Sequence, residues 1–152
     1  MTAGQGLAVG LRATVRATVT EADTAIAVGS GDVPVLATPR LLALAEAAAV
    51  AAVAPQLESG QACVGTAAQL EHRRASPLGA ELEVEAELTE IDGPRLVFMF
   101  IARGPGRSPR PGSGPGADED EDEGEGVVIG AGTVERVVVD RERFLRRAAA
   151  GV

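Results

Sequence analysis

Between Thr38 and Leu57 the chain reads TPRLLALAEAAAVAAVAPQL, and this stretch limits what the rest can fold into. Thr38 followed by Pro39 predicts a helix start. A threonine oxygen can cap a free N–H of the first turn, and proline at the first helical position forfeits no hydrogen bond. Leu41, Leu42, Leu44, Val50, Val53 and a run of alanines cover every side of that helix. A helix apolar all round belongs in an interior. Pro55 and the turn at Glu58-Ser59-Gly60 end it. The segment reads as shorter than a membrane span and is interrupted by Glu46. The expectation is a buried helix holding one carboxylate that packing does not require.

The flanking segments read as strands. Leu11 to Val19 alternates, with Leu11, Ala13, Val15, Ala17 and Val19 on one face and Arg12, Thr14, Arg16 and Thr18 on the other. Glu21 to Ala37 is irregular, with a turn at Gly29-Ser30-Gly31-Asp32, and is placed to cover whatever lies near Thr38. Cys63 to Ala75 reads as a strand whose inward parity is Val64, Thr66, Ala68, Leu70 and His72. Leu82, Val84, Ala86 and Leu88 alternate with four glutamates, a strand with one wet face. Arg95 to Ala102 is apolar on both faces, as a central strand would be, and Val127 to Asp140 forms the last strand before an Arg-rich tail. Strand, buried helix and four consecutive antiparallel strands predict an α+β domain, one curved sheet wrapped on one helix. Edge strands and few large side chains point to a homodimer, or a dimer of dimers.

Charge excludes more than it proposes. Residues 104–126 place Arg107 and Arg110 against seven acidic residues, a net −5 of the total −8, so the remainder is ordinary for a small domain. This Pro/Gly-rich and then acidic segment has nothing to build a core with and reads as a disordered insertion at a hairpin tip. All 14 basic residues are arginine, without a basic stripe or an aromatic platform, so nucleic acid is not expected as a partner. One cysteine, Cys63, allows no internal disulfide, and Arg12 and Arg16 interrupt any leader-like apolar run. A cytoplasmic location and no membrane association are expected. No cluster of Cys, His and carboxylates has metal-ligand spacing.

Three residues stand out: Thr38, Glu46 inside the apolar helix, and His72, the single histidine, on an inward parity. A hydroxyl, an imidazole and a carboxylate are the parts of an acyl-transfer site, with free N–H groups of a helix start nearby. Eight residues of helix put Thr38 and Glu46 about 12 Å apart along the axis, whereas two hydrogen bonds and an imidazole span roughly 8 Å. A histidine between them within one chain is feasible but stretched; supply across a dimer interface is the alternative.

The order T-x7-E, G-T-A-x4-H and G-x-G-T-x-E-R-V-x6-F resembles the fluoroacetyl-CoA thioesterase-like family of hot-dog proteins. Here it is carried by Thr38, Glu46, Gly65-Thr66-Ala67, His72, Gly130, Gly132, Thr133, Glu135, Arg136, Val137 and Phe144. The resemblance implies a hot-dog homodimer that hydrolyses acyl-CoA thioesters with Thr38, Glu46 and His72 as the catalytic set, and Gly65 beside the thioester carbonyl. It implies no cofactor other than the coenzyme A of the substrate, whose phosphates Arg73 and Arg74 could meet. The fluoroacetyl-specific enzyme has phenylalanines before its catalytic threonine, and Glu21 to Ala37 contains no aromatic, so a different acyl group is expected. A non-catalytic module binding acyl-CoA or another small ligand is the alternative function.

Overall fold

The structure, a computed structural model, describes residues 6–105 and 126–151. Strand β1 (Arg12–Thr18) alternates exposed Arg and Thr with half-buried Ala and Val. A single helical turn, α1 (Ala25–Val28), precedes the long helix α2 (Thr38–Val53), which a 3-10 turn extends over Ala54–Gln56. Then come β2 (Gln61–His72), β3 (Glu81–Asp92), β4 (Arg95–Gly104), β5 (Val127–Asp140) and the short helix α3 (Arg141–Ala149). The five strands form one antiparallel sheet in the order β1-β3-β4-β5-β2.

That order departs from four strands pairing in succession. β1 and β4 occupy the two edges of β3, so β2 crosses to the free edge of β5, running from Gln61↔Asp140 to His72↔Gly130. β4, apolar on both faces, is central as expected, and its Phe98 and Phe100 are fully buried under the helix with Leu82, Leu88 and Leu96. Each such side chain contributes about 1.5–3 kcal/mol by leaving water. Gly132 lies where β5 meets β2, and a Cβ there would collide with the Gln69 carbonyl. The glycines of β5 thus permit close strand packing.

α2 is buried on one side only. Leu41, Leu44, Ala45, Ala48, Ala49, Ala52 and Val53 face the sheet, chiefly β1 and β3. Ala43, Ala47, Val50 and Ala51 face outward, correcting the expectation of a helix buried all round. The helix over Thr38–Gln56 is also long and apolar enough to cross a membrane, so length alone did not exclude a span. Its packing against the sheet does the work of placing it in a protein interior.

β2 also departs from expectation. Its register with β5 shifts between Gly65 and Ala67, a bulge that inserts one residue. A single extra residue reverses which parity faces the helix. Cys63 and Gly65 therefore share the α2 side with Leu70 and His72, while Val64 and Thr66 fall out of that set. The central residues Gly65–Gln69 are exposed, and β2 has no strand beyond it. Residues 106–125, most of the segment expected to be a disordered insertion, lie outside the described residues. Its flanks Gly104 and Val127 pair across one rung of the β4–β5 hairpin.

Candidate active site

The start of α2 is set by Ala37, whose carbonyl accepts from Leu41 N–H at 3.0 Å. Ala37 is the N-cap, and Thr38 already lies inside the helix, so the expected capping role of Thr38 is overturned. Pro39 needs no N–H partner, which lowers the demand for a side-chain cap. The Thr38 hydroxyl is free for another partner and lies 2.8 Å from Nδ1 of His72, at the end of β2. Nε2 of His72 is buried and has no hydrogen-bond partner among the described residues. Burial holds the imidazole pKa below its ordinary 6.5, with the Arg74 backbone pulling weakly the other way.

Thr38 and His72 open onto a pocket of about 310 Å³. Its far wall is the segment before the helix, including Ala25, Val33, Val35 and Leu36, and no aromatic residue lines it. That segment is tied down at several points. Leu36 N–H donates to the Ser76 carbonyl and Ala25 N–H to the Val35 carbonyl, each at 2.9 Å. Arg40, in the first turn of α2, bonds Asp23 at 2.7 Å. The Thr20 backbone N–H also donates to Asp23, and together these hold its carboxyl below the usual range. Arg73 and Arg74 line the same pocket; Arg73 is paired with Glu71 at 2.9 Å, whereas Arg74 forms no ion pair among the described residues.

Glu46 belongs to a second cluster, two turns further along α2. Its carboxylate accepts from Arg136 Nη1 at 2.9 Å, and it does not contact Thr38 or His72. Arg136 is 7% exposed and also donates through Nη2 to the Cys63 carbonyl at 2.8 Å and through Nε to Cys63 Sγ at 3.2 Å. Cys63 is thus a half-buried contact of the guanidinium rather than a plain buried hydrophobe. Gly65 is part of this cluster: a Cβ there would sit 2.6 Å from Glu46 Oε2, so only glycine leaves that oxygen room. The structure brings Thr38, His72, Arg73 and Arg74 together, and separately Glu46, Gly65 and Arg136. Arg136 has a visible sequence signal, since it alternates with buried Val134 and Val138 on the inward parity of β5.

Comparison with known proteins fits this architecture. A family model described as fluoroacetyl-CoA-specific thioesterase, FlK, matches residues 19–108. A fluoroacetyl-CoA thioesterase of Streptantibioticus cattleyicolor is 37% identical over 110 residues, which are 72% of this chain and 65% of that relative. The match therefore spans just under two thirds of the relative's length. A solved structure of the fluoroacetyl-CoA thioesterase FlK superposes with a TM-score of 0.76 at 30% identity, covering 97% of this chain and 99% of that one. A hot-dog-like protein from Thermanaerovibrio acidaminovorans, 20% identical with a TM-score of 0.73 over 93% and 90% of the two chains, shares the fold. The architecture is an α+β hot-dog fold. The chain belongs to the fluoroacetyl-CoA-specific thioesterase family.

Proposed function

We propose that the protein is an acyl-CoA thioesterase working as a homodimer, with Thr38, His72 and Glu46 as its catalytic residues. The observation that carries the reading is the 2.8 Å contact between the Thr38 hydroxyl and His72 Nδ1 in the lining of a pocket, beside a helix start. A neutral imidazole accepting at Nδ1 draws the proton from Thr38 as the hydroxyl attacks the thioester carbonyl. The imidazolium then protonates the departing CoA thiolate, and water releases the acid from the acylated threonine. Glu46, held by Arg136, is the group suited to take a proton from that water. Family membership supports the same chemistry, and the aliphatic wall of Ala25, Val33, Val35 and Leu36 suits a small acyl group other than fluoroacetyl.

Glu46 reaches this chemistry from the partner subunit. Along one β2 strand, Gly65, beside Glu46, and His72 are separated by roughly 20 Å at the rise of an extended chain. The exposed, unpaired stretch Gly65–Gln69 is the natural place for β2 to pair with its own copy, and its midpoint is Ala67. A two-fold at that point sets the partner's His72 opposite Ala62, only about 10 Å along the strand from Gly65. The outward face of α2, with Ala43, Ala47 and Val50, is the second surface such a dimer would cover.

A panel of short, branched and aryl acyl-CoAs, followed by thiol release, tests the reading. Turnover well above buffer on at least one is expected. Thermal stabilisation by acyl-CoA without hydrolysis of any ester would replace it with a binding module.

A further inference from the structure

Among the described elements, α3 is the strongly cationic one. Within Arg141–Ala149 it carries Arg141, Arg143, Arg146 and Arg147 against a single carboxylate, Glu142, and all nine residues are exposed. Glu142 engages Arg146 at 3.4 Å. Arg143 and Arg147 lie one turn apart on the same face, and neither has an ion-pair partner among the described residues. Two unpaired guanidiniums at that spacing form a fork suited to phosphate oxygens.

The place of α3 gives the fork an occupant. The helix begins where β5 meets the start of β2: Asp140 pairs with Gln61, and Arg141 N–H donates to the Gly60 carbonyl at 2.9 Å. Within one protomer this is the far end of β2 from His72, roughly 36 Å away along the strand. In the two-fold pairing inferred above, it becomes the near end. With Ala67 on the axis, Gln61 faces the partner's Arg73 and Gly60 faces the partner's Arg74, the two arginines at the pocket mouth. The first turn of α3 then stands about two strand spacings, about 10 Å, from the partner's pocket.

Resting on the dimeric thioesterase reading, we propose that α3 holds the phosphates of the CoA whose thioester lies in the partner subunit's pocket. Arg143 and Arg147 join the partner's Arg74 in one cationic cradle for the 3′-phosphate and pyrophosphate. The pantetheine arm separates those phosphates from the reacting carbon, so their site has to lie away from Thr38 and His72. An element of the other subunit meets that requirement without lengthening the pocket.

The test compares an acyl-CoA with the pantetheine ester of the same acid, which lacks the nucleotide. In the double variant Arg143→Gln/Arg147→Gln, KM for the CoA ester should rise about tenfold, and the preference for the CoA ester over the pantetheine ester should shrink by the same factor. The salt dependence of KM should weaken in parallel. Arg12→Gln, on the opposite edge strand, should keep the wild-type preference. Calorimetric titration of CoA itself reads the contact without turnover, so it decides the matter even if no ester is hydrolysed. A tenfold affinity loss supports the proposal. Equal CoA affinity in a variant whose circular dichroism and melting match wild type overturns it.

Discussion

Thr38 lies one residue inside the helix start, past the Ala37 cap, and its hydroxyl meets His72 instead of the backbone. This separates stability from chemistry. Thr38→Ala removes no cap, so the change in unfolding free energy should stay within about 0.5 kcal/mol in urea titrations. Its turnover should fall at least about a hundredfold, while Thr38→Ser retains most activity. Equal activity of the alanine and serine variants would remove the hydroxyl from the mechanism. His72→Ala should abolish turnover and leave the fold intact. The lowered His72 pKa fixes the sign of the pH response. Below pH 6.5 the unfolded chain takes up its proton before the folded protein does, so stability declines as pH falls until the folded pKa is passed. His72→Gln should flatten that decline in urea titrations. The acid limb of kcat/KM should correspondingly lie below pH 6.5, since the neutral imidazole persists there.

Among the elements, β2 depends most on its single neighbour. Its one strand neighbour among the described residues is β5, and at Gly132 the two backbones come too close for a side chain. Gly132→Ala should therefore destabilise the protein by about 1–3 kcal/mol, seen as an earlier urea midpoint with tryptic cleavage beginning at Arg73 and Arg74, just past the end of β2. Gly65→Ala acts differently. Its Cβ would displace the Glu46 carboxylate, so turnover should drop at least about tenfold with little change in melting temperature. The helix and all five strands were legible because their hydrophobic periods are long and regular, as in the Glu/apolar alternation of β3. The β2 bulge was not, since one inserted residue leaves no mark in composition, and it exchanged Val64 for Cys63 and Gly65 on the helix side. The placement of β2 beside β5 was equally hidden, being decided by which edges β1 and β4 had already filled. Of the site, Thr38 and His72 were legible as a pair. The partnership of Glu46 with Arg136 was not, because residues 90 positions apart meet only through the sheet.

For the whole molecule, the proposed dimer can be tested without touching the pocket. Val50 lies on the outward face of α2 and is 36% exposed in the single chain. Val50→Glu should yield a folded monomer by light scattering and lose at least about a hundredfold in turnover, because each Thr38–His72 pair would then lack the partner's Glu46. A dimeric, fully active variant would place the two-fold elsewhere. The rung between Gly104 and Val127 has a different kind of consequence. Gly104 and Val127 leave and re-enter the sheet at one point, so shortening the chain between them is expected to leave the sheet unchanged. A two-residue Asp-Gly turn, or an entire fluorescent reporter, spliced there is expected to leave circular dichroism and melting unchanged, because both chain ends already meet across one rung.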